Sequence, residues 1–168
     1  GLFAWRWGLA VAALCLAVFV STYWYTFTIN LTGSLPGTFY VIHRGEDVGR
    51  GDLVAFRWHG SKGYPAGSIF IKQVAGVAGD VVRRDGRAFW VNGQYIGIAK
   101  ENARDGSRLE AADDGVIGAG QYFVATPNPD SLDSRYALTG NIRQAAVLGR
   151  AYELFSETRA FAGAGGLA

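Results

Sequence analysis

Between residues 7 and 42 the chain carries no Asp, Glu, Lys or Arg. That run concentrates at one end an apolar excess that the composition shows as a whole, 49% hydrophobic against 18% charged residues. Residues 8–20 within it (Gly-Leu-Ala-Val-Ala-Ala-Leu-Cys-Leu-Ala-Val-Phe-Val) are almost entirely aliphatic. With residues 2–7 in front and 21–25 behind, the segment reaches the length of a bilayer-crossing helix, about 20 residues. Arg6 stands at its start, and Trp5, Trp7, Tyr23, Trp24 and Tyr25 bracket it as interfacial aromatics do. A cleavable signal peptide is the competing reading, but bulky Tyr-Trp-Tyr-Thr-Phe follows the apolar core where small-x-small would be needed. The segment therefore reads as an uncleaved anchor over residues 1–26. The positive-inside rule, resting on Arg6, puts the remainder outside the cytoplasm. The sequence holds no methionine, so residues are expected ahead of Gly1.

After the anchor the texture changes to short apolar runs punctuated by glycine. Residues 39–43, 52–58, 68–74, 80–84, 87–91, 94–98, 121–125 and 145–155 read as strands. Val91-Asn92-Gly93-Gln94 is a hairpin signal, because Asn-Gly takes the positive φ angles of a type I′ turn. No long stretch beyond the anchor has a 3.6-residue apolar period, so residues 27–156 are expected to form a mainly β domain. Residues 100–117 are charged and interspersed with Gly and Ala, which suggests a solvated loop. Residues 157–168 read as a flexible tail with too little side chain to pack.

Several function classes fall away on composition. Cys15 is the single cysteine, so no intramolecular disulfide or cysteine metal site exists. His43 and His59 have no zinc spacing and read as surface or strand-end histidines, with no metal and no cofactor expected. A net charge of +2, without a basic stripe, argues against a nucleic-acid partner.

Three places carry chemistry. In Thr32-Gly33-Ser34-Leu35-Pro36, Pro36 fixes its own φ and pushes Leu35 towards extended geometry, while Gly33 leaves room beside the Ser34 hydroxyl. A plain structural turn explains this stretch equally well when it is taken alone. Lys72, in Ile69-Phe70-Ile71-Lys72-Gln73-Val74, shares a strand face with Phe70 and Val74. Its ammonium is either snorkelling to water or desolvated. In the second case its pKa falls below the free value of about 10.4, and a neutral amine becomes able to accept a proton from a hydroxyl. Ser131-Leu132-Asp133-Ser134-Arg135 puts Ser131, Asp133 and Arg135 on one side if it is extended, with a hydroxyl to hold an amine and an ion pair to brace the loop. An ordinary Asx or Ser turn is the alternative there.

The three pieces, in this order behind one anchor, resemble the type I signal peptidase superfamily, peptidase family S26. Ile71-Lys72-Gln73-Val74-Ala75-Gly76-Val77-Ala78-Gly79-Asp80 is similar to its Ile-Lys-Arg-Val-x-Gly-x-x-Gly-Asp box. Ser131-x-Asp133-Ser134-Arg135 with Gly140 is similar to its Ser-x-Asp-Ser-Arg-x-x-Gly box, and Gly51-Asp52-Leu53-Val54 to its Gly-Asp-x-Val strand start. The resemblance implies a signal-peptidase-like antiparallel β-domain with one N-terminal transmembrane helix, and a serine endopeptidase working through a Ser/Lys dyad. Ser34 is then the nucleophile and Lys72 the general base, and the Ser34 backbone N–H and the Thr32 hydroxyl meet the oxyanion. Ser131 orients the amine, while Asp133 and Arg135 brace the loop.

Housekeeping members carry Ser-Met-x-Pro at the nucleophile and Gly-Asp-Asn before the last box. Here those places read Ser34-Leu35-Pro36 and Ala125-Thr126-Pro127-Asn128-Pro129, and Gly37-Thr38 departs from a basic-Gly pair. Thr32-Gly-Ser-Leu-Pro with Tyr40 following is more similar to the TraF branch. That likeness implies a membrane-tethered pilin precursor as substrate, with cyclisation in some members, and a conjugative type IV secretion apparatus as partner. A housekeeping peptidase at the inner membrane is the neighbouring expectation. A self-cleaving repressor of the LexA kind resembles this β-fold and dyad, but the anchor and the lack of any DNA-binding segment here count against it. A tethered β-domain with an assembly role is the non-enzymatic expectation, under which Lys72 titrates near its free value.

Overall fold

The computed structural model describes residues 2–29 and 39–155. The serine turn with Thr32, Gly33, Ser34, Leu35 and Pro36 lies outside the described residues, as does the 157–168 tail.

The uncharged run begins as one helix, α1 (Leu2–Trp24). Its span Trp5–Trp24 has mean hydropathy 1.8 and is not buried against the rest of the chain. At 1.5 Å per residue, its 23 residues extend about 35 Å, long enough to cross a membrane. The helix passes without a linker into β1 (Tyr25–Ile29), so the 1–26 boundary read from the sequence falls inside a strand. Tyr-Thr-Phe-Thr-Ile alternates large and Thr residues as a half-buried strand does, and it went unread because it continues the uncharged run.

The remaining strands are β2 (Phe39–Arg44), β3 (Leu53–Arg57), β4 (Ile69–Gly76), β5 (Val81–Asp85), β6 (Ala88–Val91), β7 (Gln94–Ile98), β8 (Gly115–Val116), β9 (Gln121–Ala125), β10 (Ile142–Arg143) and β11 (Val147–Phe155). They form a seven-stranded sheet in the order β1-β2-β11-β3-β4-β9-β10 and a four-stranded sheet in the order β7-β6-β5-β8. Every ladder is antiparallel. All eight stretches read as strands are strands; the two-residue β8 and β10 are too short to show a period.

Glycine 76, where β4 ends, begins the connection between the sheets. Asp80 fixes that connection by accepting the Val77 N–H at 2.8 Å, Arg50 at 2.5 Å and the Asn92 amide at 2.8 Å. The Val77 bond first, then Arg50 and Asn92, hold its carboxyl below the usual range against burial. Asn92 (φ 49°) and Gly93 (φ 82°) make the β6–β7 turn that Asn-Gly announced. Between the sheets, Phe89, Val91, Leu109, Ile117, Phe123 and Tyr136 form one core. A second lies around Val54, Phe56, Trp58, Val74 and Val124. Trp58 and Phe89 are therefore core residues, while Trp90 is half-buried beside Tyr95.

The 100–117 stretch is a loop in its path but not in its packing. Leu109, Ala112 and Ile117 are buried, Ala111 bridges to Tyr136, and the chain closes on itself at Asn102 and Arg108. Its charges point outward from an apolar underside, which a reading by charge content misses.

Gly149 lets β11 insert between β2 and β3. At φ 153°, a Cβ there would sit 1.9 Å from the His43 carbonyl oxygen, a backbone atom that cannot step aside. Gly149→Ala is expected to cost about 3 kcal/mol or more of stability. Gly45→Ala, in open space at φ 73°, should cost about 1 kcal/mol from its positive φ alone. Thermal unfolding of both variants in detergent checks this; equal losses would mean that the β2–β11 ladder yields easily.

Candidate active site

The site is built where β9 leaves β4. β4 pairs along Ile69–Gln73 with β3, and β9 joins its other side only from Gln73, opposite Ala125. Beyond Ala125 the chain turns away through residues 126–130 and returns at Ser131 beside Lys72. Alternation along β4 puts Phe70, Lys72 and Val74 on one face, and Lys72 is only 4% exposed. The amine is therefore desolvated, the second of the two readings open from the sequence.

Lys72 Nζ donates to Ser131 Oγ at 2.6 Å and lies 5.5 Å from the centre of the Phe70 ring. Burial pulls its pKa down to about 8; Asp133 pulls it up and Arg135 pushes it down. About a tenth of the amine is therefore neutral at pH 7 and about half at pH 8, free to take a proton.

The 131–135 segment is a succession of turns, not an extended stretch, so its three polar residues do not share a side. Ser131 faces Lys72, while Asp133 and Arg135 pair with each other. Arg135 Nε and an Nη meet the two carboxylate oxygens at 2.9 and 2.7 Å, with both side chains essentially buried. Arg135 also donates to the Ile98 and Asn128 carbonyls, at 3.3 Å each, and Asp133 accepts the Thr126 N–H at 3.2 Å. This pair is the brace that holds the 126–131 turn. Ser134 does structural work nearby, exchanging bonds with the Val124 backbone at 2.8 and 2.9 Å.

Lys72 opens onto a cleft of about 560 Å³. Thr28 of β1, Ile69 and Ile71 of β4, Leu109 of the 100–117 loop, Ser131 and Tyr136 are among its walls. The contributions of Phe70, Leu109 and Tyr136 were not foreseen. An aromatic two residues before a lysine in a strand is the one signal the sequence held. Ile29 and Phe39 are register partners, so the chain leaves and re-enters the sheet at one place, with residues 30–38 between. Ser34 and Thr32 belong to that connection, outside the described residues.

Among the described residues no group of three His, Cys, Asp or Glu side chains converges to hold a metal ion. His43 bonds Glu46 at 2.9 Å and stacks on Tyr25, and His59 contacts the Leu138 carbonyl at 2.9 Å.

Two stability measurements follow from the burial. Arg135→Met leaves Asp133 buried without its partner and is expected to cost about 3–5 kcal/mol. Lys72 has a depressed pKa, so between about pH 8 and 10.5 the unfolded chain holds more protons than the folded one. Stability is then greatest at the alkaline end of that window and falls as pH drops through it. Lys72→Met should stabilise the chain more at pH 7 than at pH 10.5, the difference being on the order of 3 kcal/mol. A pH-independent difference in unfolding midpoint would mean the amine is solvated.

No curated protein sequence matches the chain. Among solved structures, signal peptidase I from Enterococcus faecalis V583 is similar, at 24% identity and TM-score 0.40, over 62% of this chain and 97% of that one. The family model described as signal peptidase, peptidase S26, matches residues 3–155, which take in the apolar helix and both sheets. The chain belongs to that family of serine peptidases of the signal peptidase type.

Proposed function

We propose that the chain is a membrane-anchored serine endopeptidase in which Ser34 attacks the scissile carbonyl and Lys72 takes its proton. The observation that carries this reading is the Lys72 amine, buried, lowered to a pKa of about 8 and held by one hydroxyl at the wall of a cleft. Ser34 follows Thr28, another wall residue, by six positions, a reach of at most about 20 Å. Ser131 Oγ fixes the amine, and the oxyanion is met by the Ser34 N–H and the Thr32 hydroxyl. Such a donor is worth about 3 kcal/mol of transition-state stabilisation. Water, or a peptide amine, then resolves the acyl-enzyme.

The anchor, ending with α1 at Trp24, crosses the inner membrane once, and the catalytic domain that begins with β1 stands on the periplasmic side, with residues 157–168 as a tail. Continuity of α1 with β1 supports a catalytic domain at the lipid surface. So does the outward face of β1, β2 and β11, where Phe27, Val41 and Tyr152 are register neighbours and Phe27 is 75% exposed. The substrate is a tethered exported precursor. The Thr32-Gly-Ser-Leu-Pro turn favours a conjugative pilin precursor of the kind TraF peptidases process, cyclised in some cases, with a type IV secretion apparatus as partner.

Detergent-solubilised protein incubated with pilin and generic exported precursors, with products read by mass spectrometry, tests this. Ser34→Ala and Lys72→Ala should each lose at least about a thousandfold in turnover. Because the protonated amine accepts nothing, turnover should climb as pH rises through about 8. Undiminished cleavage by either variant sinks the dyad. Equal cleavage of both precursor classes points to a housekeeping peptidase, and a product one water lighter than the linear fragment marks cyclisation.

A further inference from the structure

The cleft wall carries more positive charge than the dyad uses. Besides Lys72, its charged side chains are Lys62, Lys100 and Arg104 against Asp105 and Asp130. Lys100 and Arg104 share one carboxylate, Asp130, with Arg104 at 3.2 Å from it. That sharing leaves most of the Arg104 guanidinium uncommitted, and its side chain is 81% exposed. Lys62, half-buried, donates to the hydroxyl of Ser107, which donates on to Asp105; among the described residues Lys62 acts on that carboxylate across the hydroxyl and makes no direct ion pair. Its backbone is also held at φ 51°, in the turn closed by the reciprocal Ser61–Tyr64 bonds. A lysine there is strained where Gly or Asn would not be. Backbone strain, a half-buried ammonium with no direct carboxylate contact and an Arg104 guanidinium mostly uncommitted, at a wall with more cations than carboxylates, point to a ligand group of negative charge.

We propose that this cleft selects precursor segments bearing a carboxylate, which Lys62 and Arg104 receive while the neighbouring scissile bond lies at Lys72. The proposal rests on the endopeptidase reading and names its substrate class. Asp130 directly precedes Ser131, the residue that holds the Lys72 amine, so the charged wall and the proton acceptor adjoin. Lys62 and Arg104 line the walled cleft, whereas Arg150, the cation over Tyr152 on the outward face, is paired with Glu46 and Asp52, which favours a peptide over a lipid headgroup.

The test uses the full chain in neutral-detergent micelles and fluorescent peptides identical except for a single Glu, Gln or Lys moved through each position. At one or two positions, Glu should bind about five- to tenfold tighter than Gln, and Lys more weakly than either. The preference should shrink in about 0.5 M salt, where charges more than a few ångströms apart are screened. In the Lys62→Gln/Arg104→Gln double variant the Glu-to-Gln ratio should approach one, whatever its absolute affinity. A ratio of one at every position in the unmodified protein overturns the proposal, as does a ratio the double variant keeps. So does tighter binding of anionic-lipid micelles with no Glu preference among peptides. Glu peptides that bind preferentially but are never cut would instead remove the endopeptidase reading and leave the charge selection standing.

Discussion

A lysine amine inside a β-domain is unstable in its charged form, and the arrangement around Lys72 exists to keep it inside without recharging it. Burial alone lowers the pKa; any lone carboxylate nearby would raise it again. Asp133 is such a carboxylate, and it does pull Lys72 upwards. Arg135 answers it with a two-pronged bond at 2.9 and 2.7 Å, so the pair is close to neutral as seen from the amine. The brace of the 126–131 turn is thus also an electrostatic shield. With the carboxylate spoken for, the hydrogen-bond partner of the amine among the described residues is Ser131, a hydroxyl, which holds it in place without stabilising the ammonium as a charge would.

The same shield explains the division between what the sequence disclosed and what it did not. Lys72 is legible as a candidate because its place in Ile-Phe-Ile-Lys-Gln-Val leaves two environments for it, and only the burial in the structure decides for the dry one. Ser131, Asp133 and Arg135 are legible as a set but not in their geometry. Treating them as extended assigns them a common side, whereas backbone turns through 131–135 send Ser131 one way and the ion pair another. Strands with clear alternation were readable to within a residue or two. β1 was hidden by its continuity with the apolar helix, and Leu109 by the charges around it. In both cases the local average was right and the one or two residues that pack were lost in it. The departure of β9 from β4 at Ala125, which opens the wall at Lys72, depends on long-range register that no local pattern carries.

Because α1 runs directly into β1, no linker separates the apolar helix from the sheet. β1 pairs with β2 over Tyr25–Ile29, and its far end brings Thr28 to the cleft. The distance from the helix end to that wall is therefore set by four residues of strand, about 13 Å at 3.3 Å each. In the proposed anchored peptidase, a segment that reaches the cleft lies at most roughly that distance from the end of the membrane-crossing helix. A soluble polypeptide gains nothing from such placement, whereas one anchored in the same membrane is held at the right depth and pays less entropy to enter. On the proposed reading, the strand that joins helix to sheet acts as a ruler, and the proposed cleft charges choose among the segments that the ruler admits.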